Sequence, residues 1–224
     1  FSQYHISDVK RAFQIPVHWH DELEIIYVKQ GKLHVTISGE NYIGSPKDAF
    51  VVSPGSQHFM GSPTGDADYY TFLFPLEYIS FQTDDLMEKS ILSPLKRGRL
   101  MINPQINDTA SDICDRLIEI NAQISGKNAE NTDAANIEAQ FETKITLIKF
   151  IRKMWRNGLI LENGTNGINT TEKEMITYIW QNYTREISLK EFGAQFHLSE
   201  KSISRSFNAH FHITLSQYVN HLRL

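Results

Sequence analysis

Three imidazoles and a carboxylate stand out among the residues able to do chemistry: His18, His20, Glu24 and His58. The first three sit in one short run, His18-Trp19-His20-Asp21-Glu22-Leu23-Glu24. Side chains on a strand repeat every two residues, so His18, His20 and Glu24 share a face if no bulge intervenes. His58 follows the turn Pro54-Gly55-Ser56-Gln57, and closure of a barrel would bring it opposite. Such a donor set suits a divalent transition metal. The same groups, joined by His34 as a ligand-contacting candidate, also offer hydrogen bonds to the hydroxyls of a sugar or related metabolite. Trp19 should point away from His18 and His20. Both readings stand, metal site and metal-free polar pocket, beside a third in which the residues only fill the barrel mouth.

A second set lies near the other end, in ISLKEFGAQFHLSEKSISRSF. Ser188 has the type and place of an N-cap, with Glu191 completing a capping box. Leu189, Phe192 and Phe196 recur at helical spacing, and Gly193 leaves room for a second helix to cross. His197 tolerates the left-handed conformation a tight turn needs. Ser199 then caps a helix that buries Ile203 and Phe207 and turns Lys201, Ser202 and Arg205 outward. This is the layout of a helix-turn-helix, whose second helix enters a DNA major groove. Lys201, Ser202 and Arg205 are the candidate base-edge contacts, and the Ser188 hydroxyl the candidate phosphate contact.

Other residues tempt less. Glu22 and Glu24 are near each other, but no nucleophile or general-acid pattern accompanies them. Cys114, the single cysteine, sits beside Ile113 in an apolar stripe and reads as a small buried residue. Trp155 and Trp180 fall in helical stripes and read as core. His210, His212 and His221 read as surface or cap positions.

The elements that must position these groups follow from periodicity. From His18 to about Phe74 the chain reads as short strands. Leu33, Val35 and Ile37 alternate with His34 and Thr36, and apolar runs at Ile25–Val28, Phe50–Val52 and Tyr69–Phe74 are separated by turn residues. This suggests a closed or sandwiched β-barrel. Beyond Asn103 the period changes. Ile106, Ala110, Ile113, Leu117, Ile120 and Ile124 form one helical stripe, and Ile137, Phe141, Ile145, Ile148, Ile151 and Trp155 another. Gly158–Thr171 reads as a flexible linker. A helix over Glu172–Asn182 opens the last module.

The chain has 224 residues, 41% hydrophobic and 21% charged, which suits two folded domains and excludes disorder throughout. No apolar run reaches membrane-spanning length. The lone cysteine fits a reducing cytoplasm. A net charge of −4 sits awkwardly with nucleic acid. From Thr171 to Leu224 six basic residues face five acidic ones, so this module neutralises little phosphate by itself.

Two resemblances join these parts. ISLKEFG, HLSEKSISRSF and ITLSQYVNHLRL look like the first half of the DNA-binding region of AraC/XylS-type transcription regulators. Gly193 stands where that family usually has Ala, and His212 where it usually has Gly. The resemblance implies a second helix-turn-helix after the joining helix begun at YVNHLRL. The N-terminal histidines resemble the cupin pattern, HxH, three or four residues, E, six residues, G, which His18 to Gly31 matches in full. The second cupin motif is partial: Asp48 is in place, Lys47 replaces a Gly and Ser53 a Pro, and Gly55-x-x-His58 survives. AraC-type regulators commonly carry such a barrel as their sensor.

The expectation is therefore an α+β chain in four parts: a cupin-like ligand-sensing β-barrel over 1–103, a helical dimerisation segment over 104–157, a linker over 158–171, and the first helix-turn-helix of an incomplete DNA-binding domain over 172–224. The implied function is a non-enzymatic, ligand-responsive regulator that senses a sugar or related metabolite and controls a catabolic operon. Its implied partners are a double-stranded DNA operator, a second copy of the chain and, for an activator, RNA polymerase. No cofactor is required by this reading, and a divalent metal at His18, His20, Glu24 and His58 is compatible with it. The competing expectation is a cupin metalloenzyme, a dioxygenase or sugar isomerase, with a helical appendage.

Overall fold

The computed structural model describes residues 1–7, 15–62, 65–81, 83, 85–125, 133–163, 170–211 and 214–223. Among the described residues eleven strands run β1 Ser2–Ile6, β2 Ile15–His18, β3 Leu23–Gln30, β4 Leu33–Ile37, β5 Glu40–Gly44, β6 Ala49–Val52, β7 His58–Gly61, β8 Asp68–Phe74, β9 Leu100–Ile102, β10 Gln105–Asn107 and β11 Ile160–Glu162. Among the described residues the α-helices are α1 Ser93–Lys96, α2 Ser111–Ser125, α3 Asp133–Arg156, α4 Thr170–Asn182, α5 Leu189–Phe196, α6 Glu200–Phe211 and α7 Leu215–Arg223.

The larger sheet has the order β1-β8-β3-β6-β10, and a second sheet has the order β2-β7-β4-β5. They do not close into a barrel, which corrects that expectation. The two sheets face each other and leave their edges unjoined. Side-chain alternation on β3 shows how the layers stack. Leu23, Ile25 and Tyr27 join the cluster containing Ile113, Leu117, Phe150 and Met154 of α2 and α3. Ile26 and Val28 join Leu33, Val35, Ile37, Phe50, Val52 and Met60 between the sheets. Burial on both faces is why Ile25–Val28 of β3 reads as a continuous apolar run where a half-buried strand would alternate.

A third layer covers the outer face of the smaller sheet. Val17, Trp19 and Phe59 pack with Met175, Ile176, Ile179, Phe192, Ile203, Phe207, Leu215, Tyr218 and Val219. The helical module α4–α7 therefore shares a core with β2 and β7. The Tyr218 hydroxyl donates to the Val17 carbonyl at 2.6 Å, and Trp180 Nε1 donates to the Tyr218 oxygen at 3.1 Å.

Several expectations shift in register. Ile106 lies on β10, and the helical stripe starts only with α2. The stripe read on α3 is largely its outer face. Ile137, Phe141, Ile145 and Trp155 are 54%, 61%, 42% and 60% exposed, while Thr143, Thr146, Leu147, Phe150, Ile151 and Met154 face the core. Trp180 is likewise not core, being 48% exposed. Within the expected linker, Ile160–Glu162 pairs antiparallel with β9, and residues 164–169 lie outside the described residues. Cys114 is buried as expected, and burial pushes its thiol pKa up. No described helix is long and apolar enough to cross a membrane.

Candidate functional site

His18 ends β2 and sits directly opposite His58, the first residue of β7. Trp19 and Phe59, their neighbours in sequence, pack outward on the helical module. Alternation therefore sends the two imidazoles to the opposite side, between the sheets. Glu24 projects from β3 into the same interlayer, being one residue out of phase with Leu23 and Ile25. His20 completes the group from the turn between β2 and β3, where its carbonyl accepts from Gly55 N at 2.8 Å. The four donor atoms lie within 4.8 Å of one another. Ring centroids of His58 stand 4.0 Å from His18 and 5.0 Å from His20.

The histidine contacts fix which nitrogen faces the centre. His20 Nδ1 is 3.1 Å from the Glu22 carbonyl and His58 Nδ1 is 3.1 Å from the Ser56 carbonyl. A carbonyl only accepts, so Nδ1 carries the proton in both rings. Each Nε2 then turns toward Glu24 Oε2, at 3.2 Å from His20 and 2.9 Å from His58. The His58 contact is an ion-pair distance without hydrogen-bond geometry, and that nitrogen, on a residue 1% exposed, has no hydrogen-bond partner among the described residues. A neutral Nε2 would set its lone pair against those of the carboxylate. The arrangement calls for a cation, either a proton on a ring or a metal ion. Nδ1–H to a main-chain carbonyl with Nε2 aimed inward is also how metal-bound histidines are oriented. Donors at about 2.1 Å from one ion stand about 3.4 Å apart in a tetrahedral set and at most about 4.2 Å apart, so the cluster fits a metal after a contraction of about 0.6–1.4 Å.

Electrostatics agree. Burial would raise the Glu24 carboxyl, but His20 and His58 outweigh it and hold its pKa at about 2. Burial draws His20 down, yet Glu24 and Glu22 outweigh it and leave that imidazole raised above its ordinary value. Tyr69, on β8, is pushed up to about 12 by burial and then by the Glu24 charge. Its hydroxyl is buried with no hydrogen-bond partner among the described residues.

Of the five expected ligand contacts, His18, His20, Glu24 and His58 come together and His34 does not. His34 is exposed on β4, because Leu33, Val35 and Ile37 take the inward phase. Tyr69 was missed; its place in a β-rich run gave no reason to single it out. Gly31, which ends the first motif, has φ +72°, and a Cβ there would lie 2.3 Å from the Asp66 carbonyl oxygen. A cleft of about 430 Å³ is lined by Asp21, Glu22, Gly55, Glu77, Lys96 and Arg97 among others, and none of the four donors lines it.

The helical module follows its expected local chemistry with two changes, at Glu191 and at Ser202. Ser188 Oγ accepts from Glu191 N at 3.1 Å, and His197 takes φ 54° at the turn. Glu191 does not close a capping box: its carboxylate goes instead to Arg185 at 2.7 Å and to the Tyr178 hydroxyl at 2.9 Å. The turn brings Leu198 O so near Gly193 that a Cβ there would lie 2.6 Å away. On α6, Ile203 and Phe207 are buried, and Lys201, Ser204, Arg205 and Asn208 are exposed on the opposite face. Ser204 and Asn208 were not singled out, although a spacing of three from Lys201 and Arg205 puts them on the same helix face. Ser202 is half-buried, its hydroxyl 2.9 Å from that of Ser199. Ser188 remains exposed. His212 lies outside the described residues, as do the side chains of His210 and His221.

Among known proteins, the chain is 23% identical over 208 residues to the uncharacterized HTH-type transcriptional regulator YdiP of Escherichia coli (strain K12), covering 92% of this chain and 65% of that protein. It is 23% identical over 215 residues to the HTH-type transcriptional activator RhaS of Klebsiella pneumoniae (strain 342), covering 93% and 71%. The chain thus spans only part of the length of these relatives. The crystal structure of the AraC-like transcriptional activator CuxR superposes with a TM-score of 0.42 at 12% identity, over 99% of this chain and 71% of that one. The AraC-like ligand binding domain pattern matches residues 1–141. That match spans more than half of the 224 residues, and the chain belongs to the AraC-like ligand-binding domain family.

Proposed function

We propose that the chain is the sensing and first DNA-reading part of a transcription regulator whose effector site is the cluster His18, His20, Glu24 and His58. A divalent transition metal ion is the group this cluster suits best. One observation carries the reading: two imidazoles with Nδ1 already committed to main-chain carbonyls turn Nε2 onto one buried carboxylate oxygen. A metal ion would relieve that crowding of lone pairs and bind all four donors. The interior beneath is occupied by Ile26, Val28, Val35, Phe50, Val52 and Met60, which suits a small ion better than a sugar held inside the sheets. The sugar or related metabolite retains one supporting observation. The buried Tyr69 hydroxyl, within electrostatic reach of Glu24, offers a hydrogen bond to an oxygen-bearing ligand.

In this reading Lys201, Ser204, Arg205 and Asn208 meet base edges in the major groove, and Ser188 meets a phosphate. A second copy docks along the exposed face of α3, where Ile137, Phe141 and Ile145 follow four-residue spacing. The donors would serve a metalloenzyme equally well. The α5–α6 module and the two relatives named as transcription regulators favour regulation of an operon.

The test is elemental analysis of the protein purified without chelator, with operator binding of the full-length parent measured with and without the metal found. The expected result is about one ion per chain, lost in His58→Ala together with the metal-dependent change in DNA affinity. Metal-free protein that binds none of Mn(II), Fe(II), Ni(II) or Zn(II) would remove the ion from the proposal.

A further inference from the structure

We infer that the β2–β7 wall couples occupancy of the histidine cluster to the seating of the helical module on its outer face, with the Tyr218–Val17 hydrogen bond as the joint. The inference rests on the cluster holding a cation, and adds how that cation is felt outside the sheets.

Successive residues of the two strands point in opposite directions. His18 and His58 face the cluster; Val17 and Phe59 face the helices, as does Trp19 just past the end of β2. A single peptide therefore separates an effector donor from a docking contact. The docking contact is specific as well as apolar. Tyr218 is fully buried, and its hydroxyl donates to the Val17 carbonyl while accepting from Trp180 Nε1. Burial also pushes the Tyr218 pKa up, so it stays a donor. Arg223 binds the carbonyls of Tyr183 and Arg185, which ties α7 to the α4–α5 loop and makes the module move with Tyr218.

The wall is also the part of the sheet best able to shift. β2 is an edge strand, and its register with β7 slips between Ile15 and His18. Such an irregularity leaves a strand less firmly pinned by its ladder. Drawing His18 and His58 toward one ion would set the angle of β2, and with it the Val17 carbonyl. In the seated arrangement Lys201, Ser204, Arg205 and Asn208 are exposed, so the bound ion favours a state with its DNA-facing side open.

Linkage makes this measurable from either end, because whatever factor the ion exerts on seating, seating must exert on the ion. The probe is Zn(II), titrated into the 224-residue chain against a chromophoric chelator, with hydrogen exchange of α7 followed by mass spectrometry. We expect Zn(II) to slow exchange in α7, and Tyr218→Phe to weaken Zn(II) binding about fivefold or more although residue 218 is no ligand. Trp180→Phe, which removes the donor to that hydroxyl, should weaken it in the same direction, and so serves if Tyr218→Phe does not fold. Leu86→Glu, an exposed position whose neighbours Met87 and Leu92 pack with the α2–α3 cluster away from this wall, should leave Zn(II) affinity unchanged. Equal affinity in wild type and both wall variants, with exchange in α7 indifferent to Zn(II), overturns the coupling and leaves the cluster as a metal site. An equal loss in Leu86→Glu overturns the assignment to this wall. Failure of the wild-type chain to bind Zn(II) overturns the metal reading, and the coupling with it.

Discussion

His20 and His58 are held alike, each by a main-chain carbonyl on Nδ1, so each has only Nε2 to offer a ligand. His58→Ala should therefore abolish Zn(II) binding in a chelator competition, whereas His34→Ala should leave it within about twofold, a margin below the free energy of one hydrogen bond. Retained binding in His58→Ala would place the ion elsewhere. The contrast between these histidines was partly legible. Alternation of Leu33, Val35 and Ile37 already consigns His34 to the opposite face, and grouping it with the others overrode that phase. Convergence of His58 was legible only as a motif, because a turn of four residues does not state where its far side lands. Gly193 gives a second test at this scale. An added Cβ would sit 2.6 Å from the main-chain oxygen of Leu198, which cannot swing away as a side chain can. Gly193→Ala should destabilise the α4–α7 module by about 1–3 kcal/mol, read by thermal melting. Unchanged melting would mean that the turn relaxes freely.

At the scale of elements, α6 carries the DNA prediction. Its buried Ile203 and Phe207 leave one exposed face, on which Arg205 is the residue able to bond a guanine bidentately. In a protein carrying the whole DNA-binding region proposed above, Arg205→Ala should cost about 1–3 kcal/mol at the operator and relax preference at one base pair, measured by titrations of matched and scrambled duplexes. A uniform loss over all sequences would make Arg205 a phosphate contact. Local signals in this region were strong: a cap at Ser188 and a left-handed residue at His197 are short-range events that composition states directly. The capping box failed because Arg185, a charged neighbour from outside the helix, competes better for Glu191 than the uncharged Ser188 amide does. On α3 the difficulty was different. Helical periodicity reveals that a helix has an apolar face without saying how many. Thr143 and Thr146 lie inward while Phe141 and Ile145 lie outward, so hydrophobicity alone picked the wrong side.

Over the whole molecule the layers run helical module, four-stranded sheet, five-stranded sheet, helix pair, with an apolar cluster at each junction. The class of each segment was readable, but the order of the layers was not. Val17 and Phe59 belong to strands, Trp19 follows directly on β2, and all three find their partners in helices more than a hundred residues away. The outer face of α3 stays apolar and open among the described residues, with Phe141 61% and Ile145 42% exposed. Phe141→Glu should shift sedimentation toward monomer while preserving the fold, and a wild-type chain that is monomeric at micromolar concentration would retire the dimer.

The joint between the module and the sensor is chemically lopsided. Tyr218 contributes a side-chain hydroxyl, and Val17 contributes only its main-chain oxygen. Every amino acid supplies that oxygen, so mutation at position 17 can reshape the apolar seat but cannot delete the acceptor. The hydroxyl has no such insurance. Variation in how firmly descendants of this chain seat the module should therefore trace to position 218, with position 17 free to drift among residues of similar bulk.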